Sequence, residues 1–489
     1  MKFTLAPSTR RGKFALSLLV FLLLYLTTAS WHVFKPLPSG VSVASPARPA
    51  SQVEFLVDST WLDEQGEQHQ ATEIFDRFFA LIDQAERRIV IEMFLLNDFA
   101  GQTGAGHRAL SGELIDRLIE RRQQVPDIDI LLVTDPFNRL YGGIESPGLD
   151  RLKAAGVTVI DTDLKRLRDS NPIYSALWRI CCQWFGNSTD GGWLPNPVGG
   201  ESVTLRTYLD LLNFKANHRK SLVVDAGDDW VGLVTSGNLH DASSRHSNVA
   251  LTFNGQAALD LMETTLAVAR FSAPERDIAP APSTGLTSDS IETDAVTIQI
   301  LTEAKIRAAA LDILDNAQSG ERLDLAMFYL SHRDIIQALI DAHQRGVELR
   351  VFLDPNEDAF GRKKDGVPNR QVAADLQAAG VPVRWCNTDG EQCHAKYLLH
   401  QNQNGTTRLL AGSSNFTRRN LDDYNLETQA LLQAPSSHPE IRQALNFFDL
   451  RWNNQPNQIH SLPYPAYADD SLIRYWRYRL MEATGLSTF

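Results

Sequence analysis

The pattern of apolar and polar positions divides the chain into an apolar leader, a Pro-rich stretch and two passages that repeat one another. Residues 14–33 carry no charge and are most apolar over 15–26, close to the roughly 20 residues a membrane-spanning helix needs. Residues 35–51 are rich in Pro, Ser, Ala and Val and read as a tether. Globular signal begins near Val53. From there the spacing predicts a strand over 88–94, an amphipathic helix over 110–122 and a strand over 128–133 that runs into Asp135-Pro136. A helix over 149–156, closed by its Gly, and a strand over 157–160 follow. Residues 273–293 are acidic and rich in Pro, Ser and Thr, the strongest linker signal in the chain.

After that linker the order returns. A strand over 323–328 sets Met327-Phe328 against Met93-Phe94, and a helix spans 334–344. A strand over 349–353 runs into Asp354-Pro355, and Leu376-Gln377-Ala378-Ala379-Gly380-Val381 echoes Leu152-Lys153-Ala154-Ala155-Gly156-Val157. Self-similarity on this scale indicates a duplicated unit. Strands alternating with helices predict an α/β sandwich with mainly parallel pairing in each half. The halves differ in length. Gly156 to His218 is 62 residues and Gly380 to His394 only 14, so the first half carries about 48 more. This insertion holds Trp178, Trp184, Trp193 and the vicinal Cys181-Cys182. It reads either as a lid or lipid-facing wall near the site, or as a surface subdomain with its own small core.

The chemistry lies in a further repeat. Asn217-His218-Arg219-Lys220 leads into an apolar run ending at Asp225, and Cys393-His394-Ala395-Lys396 leads into Tyr397-Leu398-Leu399-His400. On a strand, a His and a Lys two residues apart share one face. A nucleophile or proton carrier beside a fixed positive charge suits phosphoryl transfer, where the equatorial oxygens must be neutralised as a bond breaks. Each pair is followed by an apolar strand ending in small residues and an Asn: Thr235-Ser236-Gly237-Asn238, and Gly412-Ser413-Ser414-Asn415.

Two His-x-Lys-x4-Asp motifs, each followed by Gly/Ser-Ser-x-Asn, resemble the phospholipase D superfamily. The first copy fits in full with His218, Lys220 and Asp225; the second has Gln401 in place of the Asp. The resemblance covers roughly 53–452. It implies two tandem pseudo-symmetric phospholipase D-like α/β sandwich domains sharing one active site. It implies one His as nucleophile forming a phosphohistidine, by default His218, and the other, His394, as general acid and then base. By the same resemblance Lys220, Lys396, Ser236, Asn238, Ser413 and Asn415 hold phosphate oxygens, and no metal or other cofactor is required. A carboxylate about thirty residues beyond a motif orients its His in the family. Glu427 stands 33 residues after His394, whereas Ala250 occupies the aligned place in the first half, with Asp241 as a substitute. That asymmetry keeps the swapped assignment of the two His open.

The resulting division is a cytoplasmic N-terminus over 1–12, a membrane anchor or signal segment over 13–34 and a linker over 35–52. The first phospholipase D-like domain spans 53–273, a second linker 274–293, the second domain 294–455 and a tail 456–489. Lys2, Arg10, Arg11 and Lys13 ahead of the apolar run place the catalytic part outside the cytoplasm, periplasmic in a Gram-negative cell. Cleavage after Thr27-Thr28-Ala29 would make it secreted. In the tail, Leu472 to Leu480 mixes aromatics with Arg, suiting either a headgroup-level helix or one docked on the domain.

A net charge of −12 argues against a non-specific nucleic-acid partner. An exported, acidic domain points instead to a membrane and a phospholipid substrate, hydrolysed or transphosphatidylated as in cardiolipin synthases. An extracytoplasmic nuclease and a non-catalytic tethered binding module are the alternatives. The four cysteines lack zinc-site spacing. They read as buried free thiols, or, in an exported domain, as a Cys386–Cys393 disulfide.

Overall fold

In the computed structural model, residues 10–99, 106–282, 296–359, 362–487 and 489 are described. The leader is helix α1 (Arg10–Phe34), among the described residues the one helix long and apolar enough to cross a membrane. After the short strand β1 (Arg48–Pro49), the first half runs β2 (Val53–Leu62), β3 (Gln68–Ala71), α2 (Ile74–Gln84), β4 (Arg88–Met93), α3 (Leu110–Gln124), β5 (Asp129–Thr134), α4 (Pro147–Ala154) and β6 (Thr158–Asp161). The insertion supplies α5 (Pro172–Cys181) and α6 (Leu205–Leu211). Then come β7 (Lys220–Ala226), β8 (Asp229–Thr235), β9 (Asn248–Asn254) and α7 (Gln256–Ser272).

The second half repeats the plan: β10 (Thr297–Thr302), α8 (Ala304–Asn316), β11 (Arg322–Met327), α9 (Arg333–Gln344) and β12 (Glu348–Leu353). A small hairpin, β13 (Asp358–Ala359) and β14 (Arg362–Lys363), precedes α10 (Asn369–Ala378) and β15 (Val383–Cys386). It closes with β16 (Tyr397–Gln401), β17 (Thr406–Gly412), α11 (Arg418–Leu421), β18 (Thr428–Pro435), α12 (Pro439–Asn453), β19 (Ser461–Pro463) and α13 (Leu472–Thr484). The periodic segments predicted over 88–160 and 323–381 all form, with ends moved by a residue or two.

The eight-stranded sheet has the order β3-β2-β9-β8-β7-β4-β5-β6, and the nine-stranded one β1-β10-β18-β17-β16-β11-β12-β15-β19. Pairing is parallel only at β4–β5–β6 and β11–β12–β15. The rest is antiparallel, which corrects the expectation of mainly parallel sheets. In each half, helical crossovers between neighbouring strands link only those three. β7–β8 and β16–β17 are joined by tight turns, and such short connections force antiparallel neighbours.

The expected tether over 35–52 is also corrected. Arg48–Pro49 pairs with β10, Val41 is fully buried, and Ser45 N donates to Ile300 O at 2.9 Å. The stretch thus caps the edge of the second-half sheet, because its Val, Ala and Ser side chains are small and apolar enough to bury there. Of the second linker, 283–293 lie outside the described residues, as do 1–9 of the N-terminal segment.

One apolar core lies between the sheets and belongs to both halves. It joins Phe55, Val90, Val223 and Leu251 to Ile298, Tyr397, Leu432 and Phe447, with α7 and α12 packed in it. Each sheet has a second core on its outer face, under α2 and α3 in one half and α8 and α9 in the other. A shared central core fixes the two halves relative to each other, so side chains from both can be held at one point.

Candidate active site

The two His-Lys motifs enter the molecule where the halves meet. β7 begins at Lys220 and β16 at Tyr397, so both His precede their strands; the expectation that His and Lys both lie on them is corrected. What holds each entry is the opposite half. His218 N donates to Leu426 O at 2.9 Å, and Ser247 N donates to Gln392 O at 3.0 Å. Behind each entry stands the buried Asp of an Asp-Pro pair. Asp135 accepts from Asn217 N (2.7 Å) and Phe137 N (2.8 Å), and Asp354 from Cys393 N (2.8 Å) and Asn356 N (2.7 Å). The Asp-Pro echo in the sequence is thus the device that aims each His.

Around the His the two halves repeat several contacts. His218 packs on Phe94 at 4.9 Å between ring centres and His394 on Phe328 at 5.0 Å. Lys220 Nζ donates to His218 O at 2.6 Å and Lys396 Nζ to His394 O at 2.7 Å. Asn238 and Asn415 reach the same cavity, their carbonyl oxygens accepting from Leu95 N (3.4 Å) and Tyr329 N (3.2 Å). The cavity, of about 480 Å³, contains both His at its lining. Its lining includes the apolar Phe137, Val198, Leu211 and Phe214 and the polar His107, His240, Arg245 and His246.

The orienting partners cross between halves. Glu427 Oε1 lies 2.8 Å from His218 Nδ1, and Asn248 Oδ1 lies 3.2 Å from His394 Nδ1. Glu427 therefore serves His218 rather than the His394 of its own motif. Asn248, missed in the sequence, is its counterpart, not Ala250. Ser413 N donates to Thr428 O as Ser236 N does to Val249 O, which makes 427 and 248 equivalent. The intervening loop is two residues shorter in the first half, and that shift defeated an ungapped alignment. Asp241 does not substitute; its carboxylate accepts from Ser111 N and Oγ at the start of α3.

Three other expected contacts fall elsewhere. Ser236 donates to Asn248 Oδ1 at 3.0 Å, and Ser413 to Glu427, so both hydroxyls hold the orienting residues instead of facing the cavity. Asp225 lies five residues beyond Lys220, about 16 Å along an extended strand. It accepts from the backbone N–H groups of Glu86 (3.1 Å), Arg87 (2.9 Å) and Arg88 (2.7 Å). It ties the start of β4 to β7 and is not at the site. Gln401, its counterpart, is equally remote, so the irregular second motif leaves the site intact.

Burial governs the charges. It lowers His218 to about 4, with Glu427 opposing and Lys220 and Lys396 reinforcing. His394 is held well below its ordinary value by burial and then by Lys396, His246 and Lys220. Lys220 is lowered to about 7 by burial against the pull of Glu427 and Asp135. Lys396 falls well below the ordinary lysine value through burial and Lys220. Burial works to raise the Glu427 carboxyl, yet His218, Lys220 and the Ser413 hydroxyl hold it below the usual range. Burial thus favours neutral imidazoles beside crowded amines, a setting that a bound anion would complement.

All four cysteines are paired, correcting the free-thiol reading. Cys181 bonds Cys182, and Cys386 bonds Cys393, the residue before His394. Among the described residues no three His, Cys, Asp or Glu side chains are grouped to hold a metal ion. In the insertion, Val198, Leu211 and Phe214 line the cavity, so it walls the site. Trp178 is buried in the insertion, while Trp184 and Trp193 face outward.

Residues 310–452 match the family model described as cardiolipin synthase, PLD-like domain. The fold is similar to that of phosphatidylserine synthase from Haemophilus influenzae Rd KW20, at 10% identity and a TM-score of 0.55, over 94% of this chain and 99% of that one. Polyphosphate kinase from Porphyromonas gingivalis aligns over 89% of this chain and 54% of its own, at 12% identity and a TM-score of 0.45. The phospholipase D family member Nuc from Salmonella typhimurium aligns over 32% of this chain and 95% of its own, at 21% identity and a TM-score of 0.26. No curated protein matches the chain in sequence.

Proposed function

We propose that this chain, of the phospholipase D superfamily by its fold and its domain at 310–452, breaks or exchanges the phosphodiester of a membrane phospholipid through a phosphohistidine. The observation that carries the reading is the pair of unlike partners behind two otherwise matching His: a carboxylate behind His218, an amide behind His394.

Those partners divide the labour. With Nδ1–H directed at Glu427, His218 presents the Nε2 lone pair, and the positive charge it acquires on attacking phosphorus is balanced by the carboxylate. His394, facing the neutral carbonyl of Asn248, makes a more acidic imidazolium, suited to donating a proton to the leaving alcohol oxygen as the P–O bond breaks. Burial favours its neutral form before an anion binds. The bound phosphodiester anion supplies the counter-charge that restores its proton and those of Lys220 and Lys396. In the second step neutral His394 takes a proton from water or a second alcohol. The oxygen then attacks phosphorus and releases His218. Lys220, Lys396, Asn238 and Asn415 hold the phosphoryl oxygens throughout.

A phospholipid is favoured by the apolar side chains that line the cavity and by α1. Transfer to an alcohol is favoured over hydrolysis by the family model and the fold neighbour, named for cardiolipin and phosphatidylserine synthases. Basic residues before α1 and two disulfides favour catalytic halves outside the cytoplasm.

The test is the full chain in phospholipid vesicles, wild type beside His218→Ala and His394→Ala. Headgroup release or a new phosphatidyl product is expected, reduced roughly a thousandfold or more in each variant. An acid-labile phosphate on His218 would identify the nucleophile. Cleavage of DNA or RNA lost in both variants, with no lipid turnover, would make it a nuclease. Silence on all of these would leave a binding protein.

A further inference from the structure

α5 of the insertion lies along the second half of α1. The covered face of α1 runs through Tyr25, Thr28, Ala29 and His32, spaced as one side of a helix, while 13–24 are open all round. Tyr25 donates its hydroxyl to Ile173 O at 2.8 Å, and Thr28 and Ala29 are small enough for close approach. At the far end Asp169 N donates to His32 O and Arg168 Nε to Lys35 O, each at 2.8 Å. Tyr25 stands nine residues before the end of α1, about 14 Å of helix. A hydrocarbon core is about 30 Å thick, so if α1 spans it the start of α5 lies roughly half-way in.

The free surface of α5 fits that depth. Ile173 and Leu177, one turn apart, are 55% and 44% exposed, and Trp184 and Phe185 project just beyond the helix. α13 has the same character. Leu472, Trp476 and Leu480 recur every fourth residue beside Ile473, all strongly exposed, with Arg474, Arg477 and Arg479 on the flanks. The end of α13 approaches the start of α5: Gly485, at a φ of +73°, sits so close to the chain before α5 that a Cβ there would lie 1.8 Å from Ser170 O. The cavity is lined by Leu211 and Phe214 from the insertion and by Phe489 after α13.

We propose that the exposed apolar faces of α5 and α13 are sunk in the leaflet that α1 crosses on the catalytic side, so that a lipid passes sideways from the bilayer into the cavity. The second clause rests on the phospholipid reading; the first does not. Continuity with α1 is what selects a lipid surface as the occupant.

The test uses the full chain in vesicles of phosphatidylethanolamine and phosphatidylglycerol. A nitroxide is attached at Ile173→Cys or Trp476→Cys, without reductant so that the native disulfides persist. Asp116→Cys, on the exposed side of α3, is the control. Collision with oxygen, which partitions into lipid, is expected to exceed collision with a water-soluble nickel chelate at 173 and 476, and the order to reverse at 116. Nickel access at 173 and 476 equal to that at 116 overturns the proposal. Low access to both reagents overturns it too, since it would mean a face covered by protein. As a second measurement, the double variant Leu472→Ser/Trp476→Ser is expected to lose on the order of tenfold in turnover of long-chain phospholipid in vesicles. It should keep turnover of a short-chain, water-dissolved diester, and equal loss on both would refute sideways entry. Absence of any turnover in the wild type would refute the enzymatic reading, while the nitroxide result would still decide the membrane contact.

Discussion

Glu427 and Asn248 decide what the two His can do, and each is open to a single substitution. Glu427→Gln keeps the shape but removes the charge that balances a phosphorylated His218, and should lower kcat by roughly a hundredfold or more with little change in melting temperature. Asn248→Asp gives His394 a carboxylate. It should raise the pKa seen in the alkaline limb of kcat by about a unit or more, and an unmoved limb would refute His394 as the acid. Lys220 gives a second pH dependence. Its protonated form holds the anion, and burial lowers its pKa to about 7, so affinity should fall as pH rises through that value. Sulfate, whose own charge is constant there, should bind with net uptake of at least about one proton near pH 8, read by calorimetry in two buffers. At this scale the sequence displayed His218, Lys220, His394, Lys396, Asn238 and Asn415 through their repeated spacing. It hid Asn248, because an amide two residues out of register leaves no mark in the pattern. It promoted Asp225, whose place in the motif gave no hint that a strand carries it about 16 Å away. Asp225→Ala should therefore leave kcat near wild type while costing about 1–3 kcal/mol of stability, through three stranded backbone N–H groups.

Elements position these residues by how they begin and end. Both His stand on the extended approach to a strand, where the backbone can pair with the other half before it enters its own sheet. The second approach carries an additional restraint, the Cys386–Cys393 disulfide across a separation of seven residues. Replacing both cysteines by Ser should cost about 2 kcal/mol by the loop-closure argument. It should impair His394 more than His218: turnover of an alkyl diester, whose leaving oxygen needs a proton, should fall, while a nitrophenyl ester, whose leaving group needs none, should still phosphorylate His218 at close to the wild-type rate. Periodicity made β4, α3, β5 and their second-half copies legible, since each buries one stripe or one face. It misjudged 35–52, where short apolar side chains among prolines look like a tether until a sheet edge is there to receive them. It likewise overestimated parallel pairing, because strand direction follows from how far the chain travels between strands.

At the scale of the molecule, the halves are joined by charge as well as by their shared core. Arg219, between His218 and Lys220, points away from the cavity and is fully buried. It pairs with Glu303 of the second half at 2.8 Å and with Glu92 of the first at 3.5 Å. Arg219→Met would leave two buried carboxylates without their cation. It should lower stability by about 3–5 kcal/mol, read by thermal unfolding, and weaken activity through His218 although the substituted residue touches no substrate. The sequence by itself determined the duplication, the two His-Lys pairs, the apolar leader and the elements flanking them, because these depend on side-chain type and local spacing. Only the tertiary structure decided which carboxyl serves which His, that Ser236 and Ser413 stand behind the site, and that the insertion walls the cavity while lying against α1. Those facts join residues tens to hundreds of positions apart across the interface of the halves. Such contacts are set by how two sheets pack on one core, and local periodicity carries no record of that packing.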